Sequence, residues 1–298
     1  MRLSIRHEID LVYQPAAKSA LGVLRLDPRR CDTQQTLDWS VDLDQDCGFR
    51  ALEDAYGAPT RAFYAEGPLE RLTIVASGVI DTYDCAGVVR SAAERFPPDF
   101  YLRDTALTQA DAALRQFAQE AAHDARTTLD KPHLLMGALH ARWRVDSDER
   151  ADAAAAFAAG GGRPRDLAHV MTAAARALGL PARMVSGYLC VAPQDAKWAD
   201  PTDLHYWAEI FVDEIGWIGF DPALCLCAFD AHAALAFGLD HLDVAPVRAA
   251  SYGGAEVARE SRLTILDGAG APVVTSDRAS DDRRKTDRQS QGQDARDA

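Results

Sequence analysis

The chain has 298 residues, an apolar share of 48% and a formal net charge of -13, which together indicate a soluble globular protein with a substantial core. This acidic balance argues against a surface for nucleic acid or for an anionic membrane, because such surfaces concentrate Lys and Arg. No run approaches the roughly 20 apolar residues of a membrane-spanning helix, and no signal-peptide core is present at the start, so we expect a cytoplasmic protein.

The first part of the chain has the alternation of a half-buried sheet. Apolar side chains or a histidine occupy every second position from Leu3 to Tyr13, with polar residues between them up to Asp10, and this period puts one face on a core and the other in water. Further apolar runs, separated by Pro and Gly, cover residues 21–26, 36–43 and 69–82. We therefore predict an antiparallel β-sandwich-like domain over residues 1–96.

Helical patterns begin after Pro97-Pro98. Residues 108–126 carry apolar side chains at helical spacing, and Thr108, followed three residues later by Asp111, suits an N-cap. A second helix is predicted over residues 131–143, and the alanine-rich run 151–159 can form another helical turn or two. The triplet Gly160-Gly161-Gly162 should end this run.

The best-marked helix begins near Pro164. Apolar residues follow it at helical spacing, proline suits the first helical position because its missing N–H is not needed there, and Gly179 ends the pattern. Predicted strands follow over residues 183–190, 205–212 and 217–221. The last two form a hairpin by the length of their turn, which should bring His205 and Asp221 together at one end.

Three segments follow from these patterns. Residues 1–96 form the β-rich domain, residues 97–275 form an α+β core, and residues 276–298 form a polar tail that cannot bury enough surface to fold. The six cysteines are dispersed without a dense spacing pattern, so we expect reduced thiols.

The residues His205 and Asp221 suggest thiol catalysis. A cysteine protease or acyl-transferase needs a Cys of depressed pKa, a His as its base and a carboxylate or amide to orient the imidazole. The partial positive charge of a helix N-terminus favours the thiolate. His205 and Asp221 can serve as base and orienting group, but the helix start holds Pro164, which cannot act as a nucleophile.

Several ordered motifs resemble the bacterial transglutaminase-like superfamily. In the core they cover Gly162–His169, Leu180–Tyr188, Asp203–Glu209 and Gly216–Pro222. In the N-terminal half they are Tyr13-Gln14-Pro15, Leu24–Arg29 and Asp54–Gly57, which are similar to the β-rich domain preceding the core in these proteins. The resemblance implies a papain-like or transglutaminase-like core, in which a helix packs on an antiparallel sheet.

Residue by residue, the resemblance gives His205 the position of the general base and Asp221 that of the orienting carboxylate. The nucleophile position falls on Pro164, and Arg165 replaces the polar residue that commonly follows the Cys. It implies a structural role for His169. We therefore expect a catalytically degenerate member, a pseudoenzyme that binds a peptide or protein ligand.

Under two alternative hypotheses the chain is an active enzyme. In the first, an active cysteine peptidase or amide-transferase uses a displaced thiol with His205 and Asp221; the candidate thiols are Cys190, Cys225 and Cys227. In the second, His205 activates water directly, without a covalent intermediate.

The glycine-rich approach to the helix raises the prospect of an anion site. Exposed backbone N–H groups, flanked by Arg163 and Arg165, suit a carboxylate or phosphate. The competing interpretation, which we favour, is that both arginines are solvated or pair with acids such as Asp146 or Asp148.

No metal or other cofactor is expected. Cys225, Cys227 and His232 have ligand chemistry but lack the four ligands at recognised spacings of a zinc site. The chain shows no nucleotide-binding loop, whereas the resemblance makes an ATP-grasp-like ligase a candidate partner.

Overall fold

The computed structural model describes residues 1–90, 94–148, 150–191 and 204–278, with side chains up to residue 274. The strands are β1 (Arg2–Leu24), β2 (Gln34–Leu43), β3 (Cys47–Glu53), β4 (Pro59–Thr82), β5 (Val88–Val89), β6 (Arg144–Val145), β7 (Gly161–Gly162), β8 (Ala182–Leu189), β9 (His205–Val212), β10 (Gly216–Asp221), β11 (Leu226–Cys227), β12 (His232–Gly238), β13 (Val247–Tyr252), β14 (Ala255–Leu266) and β15 (Pro272–Arg278). The helices are α1 (Ala112–Ala121), α2 (Asp130–Arg142), α3 (Ala153–Ala159), α4 (Pro164–Ala177) and α5 (His241–Val244). The protein is therefore of the α+β class, as predicted.

A seven-stranded antiparallel sheet contains the first strands of the chain. Its order is β15-β14-β1-β4-β2, with β13 also on β1 and β3 also on β4. On one of its edges, β1 changes partner from β14 to β13 around Pro15, where proline removes a ladder donor and the β1–β4 register shifts. Strands from beyond residue 246 thus complete the sheet that β1 begins. The sandwich arrangement and the domain boundaries remain predictions.

The alternation in β1 is confirmed. The apolar residues from Leu3 to Tyr13 in this pattern are buried, as is His7. Asp10 departs from the pattern because it is 2% exposed although it lies on the polar register. Thr73 donates to its carboxylate at 2.6 Å and Arg71 at 2.7 Å, so hydrogen bonds replace the lost water.

The second sheet carries the predicted hairpin. Its order is β11-β10-β9-β8-β12, with β5 paired to β10. Strands β9 and β10 pair in antiparallel register from Gly216 opposite Val212 to Phe220 opposite Ala208. Helix α4 packs on β8 and β9, which confirms the expected helix on an antiparallel sheet.

The cap of α1 differs from the prediction. Asp111, not Thr108, is the N-cap, because its extended backbone lets the carboxylate accept the Leu114 N–H at 2.8 Å. Thr108 instead accepts a hydrogen bond from Arg176 at 2.7 Å. The helix is also shorter than predicted, ending at Ala121. The bounds of α2 and α3 agree with the predictions to within two residues.

The start and end of α4 are as predicted. Pro164 is its first residue, Arg163 is the N-cap, and the Asp166 carboxylate accepts the Arg163 N–H at 3.0 Å. Gly179 follows the helix at a φ of 75°, a conformation that favours glycine. The helix is amphipathic only in part, because nearly all of its residues are buried.

A buried ionic cluster joins the segment that follows β1 to the second sheet. Glu209 in β9 accepts hydrogen bonds from Arg29 and from Arg183, each at 2.7 Å. Arg183 also pairs with Glu94 at 2.9 Å and lies 3.9 Å from the centre of the Trp217 ring. The cluster fixes the segment after β1 against the core.

The end of the described chain corrects one prediction. Residues 276–278 were expected in the disordered tail, but they belong to β15, whose backbone pairs with β14. Backbone hydrogen bonds hold this stretch although its side chains are polar. Residues 279–298 lie outside the described residues. In the described part, no helix is long and apolar enough to cross a bilayer.

Candidate functional site

The hairpin brings His205 and Asp221 together, as the sequence predicts. His205 begins β9 and Asp221 ends β10, and His205 Nε2 lies 2.7 Å from Asp221 Oδ2. The two residues are 2% and 0% exposed. A hydrogen bond of this length between an imidazole and a buried carboxylate fixes the orientation of the ring and the position of its proton.

A second histidine shares the same carboxylate oxygen. His232, at the start of β12, places its Nε2 3.1 Å from Asp221 Oδ2. The backbone N–H of Phe229 donates to His232 Nδ1 at 3.3 Å, so the proton of this ring is on Nε2 and points at Asp221. His232 is therefore a donor to the orienting carboxylate, a role that sequence reasoning missed.

Nothing in the local sequence around His232 marks that role. Strand β12 pairs with β8 on the side away from the hairpin, so spacing along the chain cannot show that its histidine reaches β10. The available signal is chemical: a histidine that starts a fully buried strand needs a polar partner.

Asp221 is a fully satisfied, ionised carboxylate. Its Oδ1 accepts the backbone N–H groups of Ala223 at 2.9 Å and Leu224 at 3.2 Å, while both histidines contact Oδ2. Burial raises the pKa of Asp221, but the electrostatic attraction of the His205 and His232 N–H groups and their hydrogen bonds outweigh burial and hold it well below its usual range. The site thus keeps a permanent anion behind His205.

The other nitrogen of His205 has no partner in the described part of the chain. His205 Nδ1 is buried without a hydrogen bond. Because Nε2 faces the Asp221 anion and carries the proton, Nδ1 presents a lone pair. Among the described residues, the pair therefore presents an oriented ring nitrogen, Nδ1, without a hydrogen-bond donor.

Contacts from α2 place Pro164 at the same end of the core as Asp221. Trp143 Nε1, just after α2, donates to the Gly162 carbonyl at 3.3 Å, while His140 Nδ1 lies 3.0 Å from the Pro222 carbonyl oxygen. The short connection from α4 to β8 makes the two elements run in opposite directions, so the start of α4 lies towards the end of β8. There β8 pairs with the start of β9.

His169 has the structural role that the resemblance implies. Its Nε2 accepts the backbone N–H of His241 at 3.0 Å. Burial, followed by the charge of Arg165, lowers the pKa of His169 to about 3. A buried acceptor of this kind holds α4 against the start of α5.

The two arginines at the start of α4 face local partners. Arg163 donates from Nε and Nη2 to the Ser147 carbonyl at 3.1 and 3.0 Å, and Arg165 Nε lies 3.8 Å from Asp166 Oδ1. The Asp166 carboxylate already accepts an N–H at this helix start. An external anion would have to compete with it, and the anion site stays a prediction.

The candidate substitute thiols are poorly activated. Burial raises the pKa of Cys190 to about 11. Burial also raises the pKa of Cys225 and Cys227, with the Asp221 charge adding to the effect at Cys225. None of the three lies on a helix N-terminus, so the environment disfavours a thiolate at each.

His205, Asp221 and His232 are close enough together to be considered as metal ligands. The tautomer of His232 opposes a metal site. The Phe229 N–H donates to Nδ1 of His232, so the ring proton is on Nε2, which faces the Asp221 carboxylate. A metal at Nε2 would require the opposite tautomer. The donor set fits a hydrogen-bonded cluster better than a cation.

Comparison with known proteins gives family matches over both parts of the chain. Residues 115–222 match the model of the transglutaminase-like superfamily, and residues 3–81 match that of the bacterial transglutaminase-like N-terminal region. An uncharacterised protein of Mycobacterium leprae is 25% identical over 268 residues, covering 83% of this chain and 92% of the relative. An uncharacterised protein of Mycobacterium tuberculosis is 24% identical over 286 residues, covering 86% and 89%.

A solved structure covers almost the whole chain. It is that of a candidate cysteine protease from Cytophaga hutchinsonii, with a TM-score of 0.69, 18% identity, and coverage of 95% of this chain and 96% of the other. At this identity the likeness shows the fold. Both sheets and the intervening helices therefore recur together in another protein.

Proposed function

The chain belongs to the transglutaminase-like superfamily and carries the bacterial N-terminal region before its core, and on this premise we propose that it is a non-catalytic member that binds a peptide or protein. The observation that carries the proposal is the combination at one end of the core. Pro164 is the first residue of α4, where the family nucleophile would stand, while His205 and Asp221 remain paired at 2.7 Å.

Proline at this position is compatible with the helix but not with thiol catalysis. The first residue of a helix has no intrahelical partner for its N–H, so α4 loses no hydrogen bond and the capping box at Asp166 stays intact. Proline offers no thiol, however, and the covalent step needs one. The fold is kept and the nucleophile is lost.

The described cysteines give little support to a displaced nucleophile. The pKa of each candidate thiol is raised by burial, which lowers the thiolate fraction at neutral pH. A base at His205 could compensate only if a thiol reached Nδ1, and that nitrogen has no described partner.

A peptide-based electrophilic probe tests the proposal directly. We expect the unmodified protein to show only slow labelling that is the same in His205→Ala, because no thiol is activated by the imidazole. Labelled peptides would be identified by mass spectrometry. Labelling of one cysteine that disappears in His205→Ala would overturn the non-catalytic assignment.

Pro164→Cys provides the complementary test. A thiol at the first position of α4 gains the helix-terminal charge and the base, so we expect the introduced thiol to be labelled at least tenfold faster than any other cysteine. Pro164→Ala is the control for the loss of proline, and His205→Ala in the Pro164→Cys background should abolish the gain. An inert Pro164→Cys variant would show that the site has lost more than its nucleophile.

A further inference from the structure

We propose that a groove between the first sheet and the segment after β1 binds a carboxylate carried by a peptide, as an acidic side chain or a free C-terminus. The groove has a volume of about 770 Å³, and its lining includes Arg29, Arg30, Cys31, Gln34, Trp39 and Arg90. We call it the junction groove. The inference rests on the proposed binding function and assigns it a place and a ligand chemistry.

The floor of the junction groove is held rigidly. Gln34 donates to the carbonyls of Arg29 and Ala234 at 2.7 and 2.8 Å, and its oxygen accepts the Ala234 N–H at 2.8 Å. Arg29 is anchored by Glu209 and lies 4.2 Å from the centre of the Phe237 ring. A floor fixed in this way is preformed, so a ligand need not order it.

An apolar wall runs along one part of the groove. The indole N–H of Trp39 donates to the Leu26 carbonyl at 2.9 Å, which fixes the ring, and the ring is half-buried. Pro28 and Pro59 add rigid apolar surface. A site of this size that combines rigid apolar surface with a few charged groups suits a short segment of peptide.

Two cationic side chains, Arg30 and Arg90, lie exposed at the rim beside one exposed acid, Asp32. The Arg30 side chain is 80% exposed, and its ionic neighbour in the described chain is Glu53, at the long distance of 3.9 Å. Arg90 is exposed and lines the groove, and no ion pair of its guanidinium is found among the described residues. A planar guanidinium group can donate two parallel hydrogen bonds to a carboxylate. These two arginines offer that geometry on a protein whose net charge is -13.

Of the two acids that line the groove, Asp27 is paired with a cation, whereas Asp32 is exposed and forms no ion pair in the described residues. Asp27 accepts two hydrogen bonds from Arg61, at 2.6 and 2.8 Å. Asp32 accepts the backbone N–H of Arg90 at 2.8 Å, which holds that segment of the rim in place. The two exposed arginines of the lining outnumber its one exposed acid, so the local charge favours an anionic ligand although the whole chain is acidic.

Cys31 provides a reporter inside the groove. Its side chain is half-buried, and its Sγ lies 3.2 Å from Thr33 Oγ1. The experiment measures the rate of Cys31 modification by a maleimide, read as the modified peptide by mass spectrometry. The probes are an acetylated Gly-Ser hexapeptide with a free C-terminal carboxylate, the same peptide as its amide, and inorganic phosphate at matched ionic strength.

We expect the carboxylate peptide to slow Cys31 modification at least threefold and the amide to leave it unchanged. Arg30→Ala combined with Arg90→Ala should abolish the protection. Arg50→Ala is the matched control, because Arg50 is exposed on β3 and does not line the groove. Retained circular dichroism and melting temperature would verify that each variant is folded.

Three outcomes would overturn the proposal: no protection by the carboxylate peptide, equal protection by its amide, or equal protection by phosphate. The last would identify a general anion site with no preference for a peptide. None of these results bears on labelling in Pro164→Cys, so failure of the groove and failure of the non-catalytic assignment are distinguishable.

Discussion

At Asp221, one carboxylate accepts hydrogen bonds from two imidazoles and two backbone amides. The hairpin spacing was enough to predict the contact with His205, because neighbouring antiparallel strands bring residues at their open end together. The partnership with His232 could not be predicted in the same way. It depends on where β12 lies in the sheet, and strand order is a property of the whole fold.

Two buried histidines should make the protein sensitive to mild acid. Burial lowers the pKa of His7 to about 4, and burial with the charge of Arg165 lowers that of His169 to about 3. The unfolded chain binds these protons near the ordinary value of 6.5, so their stabilising contribution is present above that pH and is lost as pH falls towards the folded values. These two histidines should lower the free energy of unfolding by up to about 3 kcal/mol per pH unit between these limits. Burial and the charge of Arg165 also lower the pKa of His241 to about 3, which adds about 1.4 kcal/mol per pH unit.

Urea unfolding at a series of pH values between 7 and about 4 measures this slope. His7→Gln should reduce the slope by about 1.4 kcal/mol per pH unit, the value for one proton. His123→Gln is the control, because this histidine is largely exposed. A slope unchanged by His7→Gln would contradict the assignment.

The start of α4 shows how much of an element can be predicted locally. Pro164 and Gly179 bracket the helix in the sequence and in the structure, because each acts through its own backbone geometry. The cap of α1 was misplaced, since Thr108 and Asp111 are both acceptable N-caps by type. The choice between them depends on Arg176, which bonds Thr108 from a distant helix.

Asp166 caps α4 at an energetic cost. Its carboxylate accepts the Arg163 N–H, but burial raises the pKa of Asp166 despite that hydrogen bond and the nearby arginines. Asp166→Ala should therefore lower the free energy of unfolding by about 1–2 kcal/mol through loss of the cap. Asp166→Asn keeps the acceptor and removes the buried charge, so at pH 7 it should be neutral or stabilising.

Denaturant unfolding of the two variants at pH 7 compares these effects. An equal loss of stability in Asp166→Asn and Asp166→Ala would show that the charge, not the acceptor, is what α4 needs.

On the scale of the whole molecule, Glu209 holds the segment after β1 to the core. This residue lies in one of the sequence motifs, but no local pattern predicts its partner, because Arg29 lies 180 positions away along the chain. The contact exists only once both sheets are assembled. The fold class was predictable from local periodicity, whereas this junction was not.

Glu209→Gln should be strongly destabilising. It leaves Arg29 and Arg183, which are 2% and 0% exposed, without the anion that both contact. Breaking a buried ion pair in this way costs about 3–5 kcal/mol. Urea unfolding followed by tryptophan fluorescence measures the loss.

Glu256→Gln removes the partner of Arg259 in a more exposed pair and is the control, with an expected change of about 0–1 kcal/mol. If both variants lost the same small amount, Glu209 would not be what joins the two parts of the molecule.

The seven-stranded sheet has a consequence for how the protein is made. Ser4 pairs with Leu266, and β1 lies between β4 and β14. During synthesis β4 can join β1 early, but the other edge of β1 stays open until almost all of the core has left the ribosome. Pairing between strands that are far apart in the sequence slows folding, and an unpaired strand edge can form hydrogen bonds with other chains. Nascent chains of this protein are therefore expected to depend on chaperones until β14 arrives.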